Sequence, residues 1–428
     1  MGVPVTVLSG TLGAGKTTLL NHVLTREHDY DAAVVVNDVG EINVDANLAE
    51  RRVDGDTDVV ELTNGCICCG IQDEFGRALV ELALAEEFDY LLVEPSGISD
   101  PAPVAQQLVQ SRASTFYDLS SVTTVVDARR FYDAFSEGEV RRRGSTEDGT
   151  RPLSDLIVDG VEFCDTLVVN KTDLVTDAEL DYVVETLRAL QPEATVLTST
   201  FGQVDPGAVL DTGRFDVETV SDSPGWKRAL KQYADHSTDH KQNRAREHDR
   251  GPNHGHDSVD APVADGDVDH DDRSHETHGH VHPPDEYGID SFVYHQRRPM
   301  HPERLADTLQ KFPTSVVRAK GYLHVAGRPD HALVLSRAGR QTRIEGVGRW
   351  IASLPEDRRK FYRRSRESGW DDDYGDRKTE LVMIGRDMDA RVIERSLEAC
   401  VLADAELDTA DSNFENPFPN REGEEIRL

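Results

Sequence analysis

The chain has 428 residues, with 47 Lys and Arg against 80 Asp and Glu and a formal net charge of −33. That length suits two or three ordinary domains with cores of their own, and no run of eighteen apolar residues reads as a membrane-spanning helix. Only nine of the basic residues are Lys, and an acidic, Lys-poor surface argues against nucleic-acid or anionic-membrane partners, which need basic patches.

The acidity is spread along the chain, like the surfaces of halophilic proteins, where many carboxylates stay hydrated and molar salt screens their repulsion. An acidic partner-binding surface is the competing reading. Residues 3–8 form an apolar strand at once, leaving no room for a secretory leader. The opening Met1-Gly2-Val3-Pro4-Val5-Thr6 fits the loose N-myristoylation pattern, but it feeds a phosphate loop and reads as a chance match. Five cysteines, an odd number, disfavour a disulfide framework and suit a reducing, cytoplasmic setting. Cys164 and Cys400 lie among apolar neighbours and read as small buried hydrophobes.

In chain order, apolar runs at 3–8, 32–37, 58–62, 90–93, 122–126, 166–169 and 195–198 alternate with amphipathic stretches such as 71–87. This is the pattern of an α/β, mostly parallel sheet with flanking crossover helices, here over residues 1–220. Residues 221–288 have another texture. Ten His fall between His236 and His282 among Asp, Gly, Asn, Ser and Pro, a composition too polar to offset the entropy of ordering, so a disordered linker is expected. Ordered signals resume with strands at 292–295, 315–325, 332–335 and 381–384 and helices at 302–311 and 390–400, a smaller α+β domain over 289–407. The tail, 408–428, is expected to fray.

The first chemical motif is Gly10-Thr11-Leu12-Gly13-Ala14-Gly15-Lys16-Thr17-Thr18, a complete phosphate loop between a strand and a helix. Backbone N–H groups of Gly10, Gly13, Ala14, Gly15 and Thr18 would curl around phosphates at a helix N-terminus. Lys16 would reach the β- and γ-phosphates and the Thr17 hydroxyl would ligate Mg²⁺. Asn170-Lys171-Thr172-Asp173 ends a late apolar strand. In this place Asp173 would accept from guanine N1–H and the 2-amino group, which adenine lacks, while Asn170 and Lys171 brace the loop; GTP is therefore expected. Between these two, Glu94-Pro95-Ser96-Gly97 ends a buried strand, where P-loop enzymes keep a carboxylate for Mg²⁺ and a glycine that senses the γ-phosphate. No residue presents itself as the one that positions the attacking water, and no arginine finger stands out. Slow intrinsic hydrolysis follows.

Cys66-Ile67-Cys68-Cys69 puts three thiols within four residues. Thiolates are soft donors that suit zinc or copper(I), and three nearly complete a tetrahedral zinc shell. Water, a client side chain or a nearby carboxylate could be the fourth ligand. A redox pair and an inert cluster are the rival readings. The linker histidines could collect metal weakly or merely solubilise the chain.

Together these motifs, with Asn37-Asp38-Val39-Gly40-Glu41, Arg298-Pro299-Met300-His301-Pro302 and Arg318-Ala319-Lys320-Gly321, resemble the CobW-like family of GTP-dependent metal chaperones over nearly the whole chain. The resemblance implies a GTPase that loads a transition metal, with zinc the expected ion, onto a client metalloprotein under control of GTP and GDP. Cobalt for cobalamin synthesis and iron or cobalt for nitrile hydratase are other deliveries it implies. The family usually has Asn-Glu-Phe-Gly at 37–40, so Asp38 is a shorter candidate for Mg²⁺ or γ-phosphate contact. Some members carry a metal-binding Glu just before that Asn; here the position is Val36, and Glu41 is the substitute candidate. Two further readings stand beside delivery: a regulatory GTPase whose cysteines sense metal or redox state, and a His-rich metal store. Oligomeric state is left open.

Overall fold

A computed structural model describes residues 2–25, 32–36, 59–61, 72–85, 88–95, 101–136, 152–210, 212–216, 224–225, 227–228, 230, 289–363, 370–407 and 414–428. Asp38, Glu41, Cys66, Cys68, Cys69, Gly97 and the His-rich segment lie outside the described residues.

The N-terminal half runs β1 (Val3–Gly10), α1 (Lys16–Thr25), β2 (Ala32–Val36), β3 (Val59–Glu61), α2 (Gln72–Ala85), β4 (Tyr90–Glu94), α3 (Pro101–Gln110), β5 (Tyr117–Asp127), α4 (Ala128–Phe135), α5 (Leu153–Glu162), β6 (Thr166–Asn170), α6 (Asp177–Leu190) and β7 (Thr195–Thr198). The strands form one sheet in the order β3-β2-β4-β1-β5-β6-β7, and every pairing is parallel. Successive side chains alternate between faces. Val5, Val7, Leu91 and Val93 enter one core, while Leu8, Tyr90, Leu92 and Val125 enter the other. Burial on both faces explains why these strands read as continuous apolar runs.

β5 is longer than the apolar pattern predicts, because it begins at Tyr117 and runs through the polar yet buried Ser120 and Ser121. Ser121 Oγ donates to Asp165 Oδ1 at 2.9 Å and Val122 N–H donates to Asp165 Oδ2 at 2.6 Å. Satisfied in this way, Ser and Thr sit in a central strand without desolvation loss.

The C-terminal half contains β8 (Ile289–Gln296), α7 (Pro302–Gln310), β9 (Val316–Leu323), β10 (His331–Ala338), β11 (Gln341–Arg349), α8 (Glu356–Arg363), β12 (Thr379–Arg386), α9 (Ala390–Glu398) and β13 (Glu425–Arg427). They build a six-stranded sheet, β13-β11-β10-β9-β12-β8, with antiparallel pairings throughout. Leu305, Leu309, Ile393 and Leu397 of α7 and α9 cover one face. On the other face Ile289, Val293, Val382 and Ile384 meet Ala189 of α6.

Two strands escape the sequence reading. β11 is Gly-containing and polar at alternate positions, with only Thr342, Ile344 and Gly346 buried. β13 belongs to the tail, where fraying is expected; instead Ile426 pairs with Ile344 and Phe418 is buried. One aromatic and one strand edge hold residues 414–428, a signal too short for composition to reveal.

Candidate nucleotide site

The phosphate loop leaves the C-terminal end of β1 and enters α1. Gly15 has φ 107°, and a Cβ there would lie 2.2 Å from Asn170 Nδ2, so only glycine fits. Asn170 uses both ends of its amide: Nδ2 donates to Ala14 O at 3.0 Å, and Oδ1 accepts from Gly202 N at 3.0 Å. Lys16 Nζ donates to Gly10 O at 3.0 Å and lies 3.9 Å from Glu94 Oε1, with both side chains nearly out of solvent. A lysine folded back onto its own loop and a carboxylate is positioned where an anionic ligand would draw it forward.

Thr17 is half-buried and Thr18 exposed in the first turn of α1. The Thr17 hydroxyl and the Glu94 carboxylate are hard oxygen donors, the chemistry that Mg²⁺ requires. Glu94, buried beside Lys16, fits that ion, with Asp38 outside the described residues.

Lys171 has φ 60°, and its Nζ donates to Gly13 O and, at 2.8 Å, to Asp127 Oδ2. Asp173 is exposed, and among the described residues no hydrogen bond or ion pair engages its carboxylate. The structure thus brings Gly13, Ala14, Gly15, Lys16, Glu94, Asn170 and Lys171 together in one contact network.

Asp127 and Arg130 belong to this network and were missed from sequence. Asp127 Oδ1 caps α4 by accepting from Arg130 N at 3.0 Å, and Arg130 Nη1 donates to Leu12 O. An Asp ending an apolar strand directly before a helix is an N-cap signal; nothing in its spacing announces the second role, holding Lys171.

Three adjacent strands, β3, β2 and β4, end at one level. In the sheet register Val36 pairs with both Glu61 and Glu94. The chain therefore enters 37–41, 62–71 and 95–97 from three adjacent strand ends at one level. Among the described residues no three or more His, Cys, Asp or Glu side chains gather as a metal site. Cys164 and Cys400 are both buried, and burial pushes both thiols up, Cys164 well up, which suits inert packing. No helix among the described residues is long and apolar enough to cross a membrane.

A parallel sheet whose first strand feeds a glycine loop, with an Asn-Lys-x-Asp segment braced against that loop, defines a P-loop GTPase. The chain belongs to the CobW/HypB/UreG family: that nucleotide-binding domain matches residues 4–198, and the cobalamin synthesis protein cobW C-terminal domain matches residues 289–401. Zinc-regulated GTPase metalloprotein activator 1 of Dictyostelium discoideum is 33% identical over 433 aligned positions, covering 95% of this chain and 81% of that protein. Zinc chaperone CobW of Sinorhizobium sp is 26% identical, covering 93% and 97%. Zinc chaperone YjiA of Escherichia coli is 34% identical over 52% of this chain and 66% of its own. The crystal structure of zinc-bound YjiA from Escherichia coli is similar at 20% identity, covering 94% of this chain and 100% of that one with a TM-score of 0.38.

Proposed function

We propose that this GTPase is a metallochaperone: it holds one transition-metal ion, zinc, at Cys66, Cys68 and Cys69 and hands it to a client metalloprotein as GTP becomes GDP. One observation carries the reading. Val36, Glu61 and Glu94 stand side by side in the register of adjacent parallel strands. The Asn37–Glu41 segment, the cysteine segment and the Pro95–Gly97 segment all depart from that line. Ligands of open α/β sheets bind beyond the carboxyl ends of the strands, and GTPase segments there respond to the γ-phosphate.

In this reading Lys16 and the loop N–H groups hold the phosphates, Thr17 and Glu94 hold Mg²⁺ with Asp38, Gly97 senses the γ-phosphate, and Asp173 reads guanine. Glu41 is the carboxylate candidate for the fourth metal position. Soft thiolates favour zinc over harder ions, and three close relatives in sequence carry zinc in their names.

The test is zinc affinity, measured by competition with a chromophoric chelator in the presence of Mg²⁺ and either GDP or a non-hydrolysable GTP analogue. The proposal expects one tight site, at least several-fold tighter with the GTP analogue and lost in Cys66→Ser. Equal affinity in the two states would remove nucleotide-driven release and leave a GTPase that senses metal. Several weak, nucleotide-indifferent sites would point to storage by the histidines instead.

A further inference from the structure

The helix α8 is built inside out. It carries Arg358, Arg359, Lys360 and Arg363 against Glu356 and Asp357, and none of its residues is buried. At 3.6 residues per turn, Glu356, Arg359, Lys360 and Arg363 share one side, while Arg358, Phe361 and Tyr362 share the other. The charged side is the one turned to the protein: Arg359 is half-buried, and the Arg363 guanidinium lies 4.9 Å over the Trp370 ring. The aromatic side is turned to solvent, with Phe361 73% and Tyr362 46% exposed and their rings edge to face. Surface helices normally do the reverse, with the apolar stripe on the core.

The charge is as far out of place as the rings. Residues 358–366 hold six of the chain's 47 basic residues in nine positions, within a sequence of net charge −33. Lys360 pairs with Glu356 of its own helix, both largely in solvent, a kind of pair that contributes little. Among the described residues, neither Arg358 nor Arg359 has a carboxylate partner. A helix that was merely solvated would send its charges outward and its aromatics inward.

We propose that the outward face of α8 is a docking surface for an acidic segment of another protein, one that carries a bulky apolar side chain. Arg358 stands three residues before Phe361 and four before Tyr362, so the guanidinium and both rings form one patch. A guanidinium takes a carboxylate through two parallel N–H donors, and aromatic and Arg side chains are the usual anchors of protein interfaces. Charge complementarity selects the class of partner. Nucleic acid is also anionic, but a strand is a continuous polyanion that runs past a helix about 12 Å long. Beyond the helix it would meet a chain with a large excess of carboxylates, which repel it. A short acidic segment ends where the basic patch ends. The surface uses no residue of the nucleotide site and does not depend on how metal is handled.

The test is fluorescence anisotropy with the full-length protein and a labelled peptide of about a dozen Asp and Glu residues around one central Leu. The parent should bind it saturably, and should not bind the same peptide made with Asn and Gln. Arg358→Glu and Phe361→Ser should each weaken binding by at least about tenfold, as anchor residues do. Both variants should melt with the parent, because the side chains they replace are exposed. Absence of saturable binding by the parent would overturn the proposal. So would parental affinity in Phe361→Ser beside a loss in Arg358→Glu, which is bulk charge attraction, or a lowered melting temperature in Phe361→Ser, which is a structural role. Equal or tighter binding of a single-stranded DNA of the same charge would make the surface a nucleic-acid site instead. A tenfold gain in peptide affinity when Asp265, Asp267, Asp269 and Asp271 are all changed to Asn would show that the chain covers this helix itself, and would remove the outside partner.

Discussion

Arg318, in the C-terminal sheet, donates through Nε and Nη2 to the two carboxylate oxygens of Glu162, at 2.7 and 3.0 Å. Their side chains are 1% and 8% exposed. Glu162 is the last residue of α5, and four residues later the chain enters β6, which ends in Asn170. Earlier in α5, Gly160 O accepts from Thr124 Oγ1 at 2.9 Å, tying the helix to the strand beside the phosphate loop. One short helix thus meets the C-terminal sheet near both of its ends and the nucleotide half between them. Lys320 Nζ lies 3.7 Å from the same carboxylate, and Arg343 Nε lies 3.7 Å from Asp155 Oδ2.

A buried pair of this kind is costly to break and cheap to replace whole. Glu162→Gln should destabilise the protein by about 3–5 kcal/mol, since it takes from the buried Arg318 guanidinium its carboxylate partner, and Arg318→Met should cost less, since Lys320 stays 3.7 Å from Glu162. The double replacement should lose much less than the sum. Urea unfolding of the two single variants and the double closes the cycle. Additive losses would show that the two charges do not depend on each other.

Asp127 offers a second, smaller prediction. Its carboxylate is 4% exposed and fixes Lys171 over the phosphate loop. Asp127→Asn keeps the cap oxygen but loses the charge, so Lys171 should swing free and GDP should dissociate roughly 10- to 100-fold faster, the range for a charge-assisted hydrogen bond. Stopped-flow displacement of labelled GDP reads this directly. Asp133→Asn is the control, since its partner Arg129 lies on the same helix but half in solvent; an equal change there would remove Asp127 from the site.

Most of the nucleotide half was legible because its strands are apolar on both faces and its motifs sit where strands end. The placing of Lys16 and Asn170 at the phosphate loop could be read from spacing alone. Asp127 could not, because a cap and a ligand for Lys171 look alike in sequence. In the C-terminal half β11 hid behind Gly346 and Gly348 and alternating polar residues, and part of the join between halves is made by charges, Arg318 and Glu162, that no hydrophobic pattern marks.

His324 gives a pH dependence whose sign can be worked out. Burial lowers its pKa from 6.5 to about 4; Arg377 and Arg297 act in the same direction, against a hydrogen bond to Arg297 O that raises it. That bond, 2.9 Å from Nδ1, has a carbonyl as acceptor, so Nδ1 carries the proton in the neutral ring. Trp350 and Tyr374 pack around the imidazole. The unfolded chain therefore binds a proton before the folded one does. Stability is full above pH ~6.5 and falls as the pH drops toward ~4, with no further loss from this residue below that. Between pH 6.5 and 5 the loss from His324 is about 2 kcal/mol. Urea unfolding at both pH values should show this loss in the parent and not in His324→Gln, after the shared carboxylate background is subtracted. Parallel pH profiles would mean that the imidazole is protonated in the fold without penalty.

The strongest demand falls on the cysteines, because the proposed function needs them to be coupled to the nucleotide rather than merely near it. Their segment leaves β3 at Glu61, level in the register with Val36 and Glu94. In the proposed function an ion held there is coupled to the γ-phosphate through the segments that follow these strand ends. Linkage then requires that metal change nucleotide affinity by the same factor as nucleotide changes metal affinity; a tenfold effect needs only about 1.4 kcal/mol. Single-turnover GTP hydrolysis should accordingly change several-fold when zinc is raised through the range that fills one site. Cys68→Ser and Cys69→Ser replace a soft thiolate by a weakly coordinating hydroxyl. Both should hydrolyse GTP at one rate with or without zinc and bind labelled GDP as the parent does, because neither belongs to the phosphate-loop or Asn-Lys-x-Asp motifs. Variants that respond to zinc like the parent would place the responsive site elsewhere, with the ten linker histidines the next group to replace.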